Sequence, residues 1–156
     1  MFLTAFVLAG CSNDRPEYLV TQGLVTISGM EEFARRIDEP GVEAPVPKLK
    51  ATKVIHKPIE GLGGLGFRIQ SSPEHTYTVH TIQRLPGIPP KLSGPERISF
   101  DQETGILTVK TKEVEVAGGR YFYWKPAPED PVGEYSIDIY VDGELLETIS
   151  FEVRDK

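Results

Sequence analysis

The chain has 156 residues, 39% of them hydrophobic and 26% charged, with a formal net charge of -6. That is globular composition, outside the disordered and collagen-like extremes, and a single domain of this size buries roughly 68–70% of its unfolded surface. Net acidity argues against the Lys/Arg-rich surface that nucleic acid selects, and one cysteine excludes an intrachain disulfide.

Residues 1–10 (MFLTAFVLAG) are apolar and uncharged, and too few to cross a bilayer as a helix, which takes about 20. They read as the apolar region of a signal peptide. The run ends Leu8-Ala9-Gly10-Cys11. This resembles the lipobox of bacterial lipoproteins: a branched aliphatic residue, two small residues, then the cysteine that takes lipid and becomes the first residue after cleavage. No Lys or Arg precedes the apolar run. Signal peptides open with positive charge, so a start upstream of Met1 or a longer leader is expected. Ser12-Asn13-Asp14-Arg15-Pro16 is polar and turn-like, as a tether would be. The expected organisation is therefore signal peptide over 1–10, lipidated tether over 11–17 and one domain over 18–156. Ser12 after the cysteine favours the outer membrane under the enterobacterial sorting code. Two or more acyl chains hold a membrane firmly, so lipid on Cys11 makes the membrane the first expected partner.

Residues 18–28 are rich in β-branched side chains and predict a first strand. Ser28 precedes Gly29-Met30-Glu31 as in a capping box, so residues 31–37 predict one short helix, ended before Pro40-Gly41. A strand is expected over 49–56 and another over 67–70. Residues 76–84 (TYTVHTIQR) alternate, with Tyr77, Val79, Thr81 and Gln83 facing one way and Thr76, Thr78, His80 and Ile82 the other. Four prolines between 85 and 95 predict an irregular connection. Residues 97–100 and 106–110 predict a hairpin with a four- or five-residue loop. Strands at 113–117 and 120–125 follow, joined by Gly118-Gly119, and residues 126–131 are loop. In the final hairpin Tyr135, Ile137, Ile139 and Val141 line one face, and Leu145, Ile149, Phe151 and Val153 line one face of the partner. Asp142-Gly143 suggests a two-residue turn, but matching the two apolar faces requires Val141 opposite Leu145 and Ile137 opposite Ile149. A three-residue loop with Gly143 left-handed is expected.

Several motifs weaken when their chemistry is asked for. Gly61 to Gly66 matches G-x-G-x-x-G, yet a strand-like Phe67-Arg68-Ile69-Gln70 follows where a dinucleotide site needs a helix N-terminus. A glycine-rich lead-in to a strand is the better reading. His75 and His80 are five apart and face opposite ways on one strand, against the convergence a metal needs. His80 is expected to be a hydrogen-bonded structural residue. No serine sits in a G-x-S-x-G elbow. Glu31-Glu32 and Glu129-Asp130 are adjacent carboxylates of the kind that solvate a surface. No catalytic residue, metal or cofactor is assigned.

Tyr121, Phe122, Tyr123 and Trp124 form the densest aromatic run. On a strand Tyr121 and Tyr123 share one face, Phe122 and Trp124 the other; one set fills the core and the other is free to stack on sugar or peptide. Tyr121, Tyr123 and Trp124 are the candidate binding residues, with the loops 126–131 and 85–95 beside them.

The strand order over residues 18–153 resembles DUF3859, an uncharacterised bacterial domain family. The resemblance rests on Gly23-Leu24, Leu65-Gly66-Phe67-Arg68, residues 78–90, residues 121–124, Glu129-Asp130-Pro131-Val132-Gly133, residues 135–140 and Phe151-Glu152-Val153. It implies an immunoglobulin-like antiparallel β-sandwich and supplies no activity or site residue. The expectation is an all-β envelope lipoprotein facing the periplasm, a non-catalytic module binding an envelope protein or glycan. A small hydrolase using loop carboxylates and histidine is the alternative, and a purely structural envelope protein a third.

Overall fold

The computed structural model describes residues 16–26, 48–59, 64–90 and 95–156. Cys11, the signal peptide expected over 1–10 and the helix expected over 31–37 lie outside these residues. Every described element is a strand: β1 (Glu17–Thr26), β2 (Lys48–Lys50), β3 (Val54–Lys57), β4 (Gly64–Ser72), β5 (Thr76–Leu85), β6 (Pro95–Asp101), β7 (Ile106–Thr111), β8 (Val114–Ala117), β9 (Gly119–Trp124), β10 (Gly133–Val141) and β11 (Glu144–Asp155). They form a two-sheet sandwich, the architecture expected from sequence. The smaller sheet runs β2-β1-β4-β9; the larger runs β3-β11-β10-β5-β7-β6, with β8 also pairing β5. All ladders are antiparallel except β3 with β11, which is parallel.

Period-two patterning explains why these segments pair as they do. Tyr77, Val79 and Thr81 of β5 are buried, as are Tyr135, Ile139 and Val141 of β10 and Ile149, Phe151 and Val153 of β11. Opposite them the smaller sheet contributes Leu65, Phe67 and Ile69. Burial of such side chains is worth roughly 1.5–3 kcal/mol each, which is the main force holding the two sheets together.

Two expectations are corrected. The single strand expected over 49–56 is two strands in different sheets, β2 against β1 and β3 against β11. Between them the Thr52 hydroxyl donates to Val54 O at 2.8 Å and accepts from Val54 N at 3.3 Å. That local bonding competes with the ladder and lets the chain switch sheets.

The last hairpin closes with a two-residue turn, not three. Asp142 and Gly143 have φ of 49° and 82°, the two positive values a type I′ turn requires. Val141 pairs with Glu144 and Tyr140 with Leu145, and a register shift beyond Ile139 restores Ile137 opposite Ile149. A bulge thus supplies the odd residue that periodicity demanded. It also turns Leu145 outward, 55% exposed, and gives Leu146 its place against the core. The other hairpin has a four-residue loop, since Asp101 pairs with Ile106, with Gly105 at φ 68°.

Near the start of β10 the Tyr135 hydroxyl donates to Pro131 O at 2.6 Å, four residues upstream. This bond ties the start of β10 to the corner that precedes it, in the manner of a tyrosine corner. Burial, with Asp130 nearby, pushes that hydroxyl well above the ordinary phenol range.

Candidate binding cleft

β9 is the edge of the smaller sheet, joined to β4 alone among the described strands. Its aromatic sequence suits a half-buried pleated surface, and its register with β4 decides what each ring does. Phe122 lies opposite Phe67 and Trp124 opposite Leu65, so both point inward. Phe122 stacks on Phe67, with centroids 5.0 Å apart and 16° between planes. Trp124 packs on Tyr135 at 5.3 Å and Phe151 at 6.5 Å. Tyr121 and Tyr123 point outward. The Arg68 guanidinium lies 5.4 Å from the Tyr121 ring centroid, and Tyr123 is 61% exposed. The three candidate residues therefore divide: Tyr121 and Tyr123 share the outer face, while Trp124 belongs to the inner one.

Two glycines let β4 and β9 approach closely. A Cβ on Gly66 would overlap the Phe122 carbonyl oxygen, and one on Gly64 would stand 2.7 Å from the Trp124 oxygen. Gly64 and Gly66 are thus packing residues inside a strand, and the phosphate-loop pattern has no helix behind it, because β4 starts at Gly64.

Between the inner face of β9 and the larger sheet lies a cleft of about 580 Å³. Arg120, Phe122 and Trp124 line one wall, Val109, Thr111 and Gln83 the other, and Pro89, Pro90, Ala127 and Glu129 lie along its rim. The aromatic strand and both loops singled out in the sequence therefore meet at one place. The polar part of the floor is internally bonded: Thr81 N donates to Thr111 Oγ1 at 2.9 Å, and Gln83 Nε2 donates to Thr81 Oγ1 at 3.2 Å. Lys112, Arg120, Lys125, Glu129 and Asp130 are the charged residues lining the cleft.

The 126–131 loop is held rigidly. Asp130 Oδ2 accepts from Ala127 N at 2.8 Å, and Asp130 N donates to Ala127 O at 3.1 Å. Beneath it the Lys57 ammonium, only 5% exposed as a residue, donates to Pro128 O at 2.8 Å and to Asp130 O. Asp155 lies 3.5 Å from the same ammonium. Sequence reasoning missed Lys57, although period two from the buried Ile55 puts residue 57 on the inner side.

The histidines are scattered. His80 stacks on Tyr140, centroids 4.7 Å apart, with Glu113 at 3.8 Å. His56 Nδ1 lies 3.3 Å from Asp155 O. His75 belongs to a cluster at one end of the sandwich, its Nε2 3.1 Å from the Tyr18 hydroxyl, which also reaches Asp142 Oδ2 at 3.3 Å. Desolvation and then the Asp142 charge raise the Tyr18 pKa, while the Thr78 backbone N–H holds the Asp142 carboxyl below the usual carboxylate range. Among the described residues no three His, Cys, Asp or Glu side chains converge as metal ligands.

Residues 38–154 match the family described as the PM0630 beta sandwich domain. No curated protein matches the chain in sequence. Among solved structures, an immunoglobulin-like protein from Pseudomonas aeruginosa matches with 17% identity and a TM-score of 0.45, over 88% of this chain and 97% of that one. The alkylpurine DNA glycosylase AlkC of Pseudomonas fluorescens, bound to DNA containing an abasic site analog, matches with 13% identity and a TM-score of 0.34. That match covers 67% of this chain and 28% of the glycosylase. Likenesses this distant carry no functional argument.

Proposed function

The chain belongs to the PM0630 beta sandwich domain family, and from that premise we propose that it is a non-catalytic interaction module of the bacterial envelope, anchored by lipid on Cys11. The observation carrying the module reading is the cleft beside β9: aromatic walls, a pre-bonded polar floor and a loop clamped from beneath by Lys57. Binding sites are concave, mostly apolar and largely preformed, with few placed polar groups. The chemistry of a hydrolase would need a base aimed at a nucleophile or water. Asp130 instead spends its carboxylate on its own turn, and the histidines lie in three separate settings.

The address rests on sequence: Leu8-Ala9-Gly10-Cys11 behind an apolar run, with a polar stretch from Ser12 to Pro16. Ser12 favours the outer membrane, with the domain facing the periplasm. Kinship with DUF3859 is part of the same reading, supported by the motif order over residues 18–153. Mass spectrometry of the N-terminal peptide from the membrane fraction tests the anchor. A diacyl- or triacyl-cysteine at residue 11, lost together with membrane association in Cys11→Ala, is the expected result. An unmodified Met1 on protein that fractionates away from membranes overturns it.

A further inference from the structure

The two sheets differ in width. The smaller has four strands ending at β9, while the larger continues beyond the cleft floor to β7 and β6. On that continuation Ile98 pairs with Val109 and Phe100 with Leu107, so Ile98 and Phe100 share the inner face with two buried residues. They are nonetheless 47% and 42% exposed. β9 also presents six residues of backbone with no strand on its outer side among those described. Long exposed edges are ordinarily guarded by short length, lysine or proline. The opposite edge, β2, is three residues reading Lys-Leu-Lys; β9 contains neither lysine nor proline.

We propose that β9 accepts an extended peptide of a partner protein as a fifth strand of the smaller sheet, its apolar side chains entering the cleft and its acidic ones meeting Arg120 and Lys112. This rests on the interaction-module reading and names its mode and partner chemistry. Main-chain bonds along the edge supply affinity, and pockets for alternate side chains supply specificity. Adjacent strands lie about 4.8 Å apart, so a fifth strand would face the uncovered Ile98 and Phe100. Charge sets the choice of occupant. In a chain of net charge -6, Lys112 and Arg120 line the cleft. Of its two acids, Asp130 directs its carboxylate to Ala127 N on its own loop. An acidic peptide complements that balance, as steering by opposite charge requires.

The test is an NMR titration of the full chain with a synthetic peptide whose six-residue core matches β9 in length, alternating valine and threonine between flanking glutamates. Two controls accompany it: the same peptide N-methylated at alternate amides, and the Arg120→Glu chain. Expected are shifts confined to amides 119–124 and to the Ile98 and Phe100 side chains, with binding weakened about tenfold or more by either control. Lysine-flanked peptide should bind more weakly to the native chain and regain affinity for Arg120→Glu. Equal binding of the N-methylated peptide, or no shift along β9 at millimolar peptide, overturns strand addition. Dimers that protect amides 119–124 assign the edge to a second copy and overturn the peptide. Either result leaves the module reading standing, because that reading fails only if chains substituted at cleft-lining residues crosslink to the same envelope partners as the native chain.

Discussion

Lys57 shows how one buried charge can organise a surface loop. Its ammonium is removed from water and satisfied by two backbone carbonyls of the 126–131 loop and by Asp155. Truncation to alanine leaves those carbonyls without their donor, at a cost of about 2 kcal/mol. Lys57→Ala should therefore lower the urea midpoint with an unchanged m-value, and Lys57→Arg should recover little, since a planar fork does not replace a compact ammonium. Asp142 is a second single-residue device. Its carboxylate accepts from Thr78 N at 2.8 Å and from the Thr78 hydroxyl at 3.2 Å, and this holds its pKa down. A depressed folded pKa means the stabilisation is present above the unfolded value near 3.9 and is lost as pH falls through the folded one. The group is exposed, so the contribution is screened to about 0.5–1 kcal/mol. Asp142→Asn should show this loss at pH 7 and converge on the native chain at pH 2 in paired denaturant curves.

At the level of elements, the closest fit is between β4 and β9. Gly66→Ala forces a methyl group against the Phe122 carbonyl and within 2.9 Å of Tyr123 Cα. Backbone cannot yield as a side-chain tip can, so the strands must separate, at roughly 1–3 kcal/mol or more. Hydrogen exchange is the informative measurement: amides of Gly119–Trp124 should lose protection before those of β10. Elements were the most legible part of the sequence. Residues 76–84 alternate as read, and the aromatic run divides between faces as period two requires. The last hairpin was legible at Ile137 and Ile149 but not at Val141 and Leu145, because periodicity counts residues and cannot tell an extra loop residue from a bulge. The division at Thr52 was hidden for a similar reason: a threonine bonding its own neighbours leaves no mark on an apolar pattern. The cleft was half legible. Its aromatic wall and both loops are sequence features, whereas the Thr81–Thr111–Gln83 floor and the Lys57 clamp exist only through contacts between distant strands.

For the whole molecule, the order of strands predicts where stability resides. β10 lies between β11 and β5 at the middle of the larger sheet, and Ile139 is fully buried. Its central amides should exchange only through global unfolding, while β2 and β6, at sheet edges, should open locally; native-state exchange at rising denaturant would show the ranking. The parallel ladder of β3 with β11 joins Val54–Lys57 to Glu152–Asp155, about a hundred residues later. A chain leaving the ribosome holds β3 without this partner until β11 has been made. Lys57 is carried by β3, so the rim of the cleft is completed only once β3 has docked on β11. A chain clipped after Phe151 would lose the β3 ladder and with it the clamp on the 126–131 loop, while the β5–β10 ladder remained.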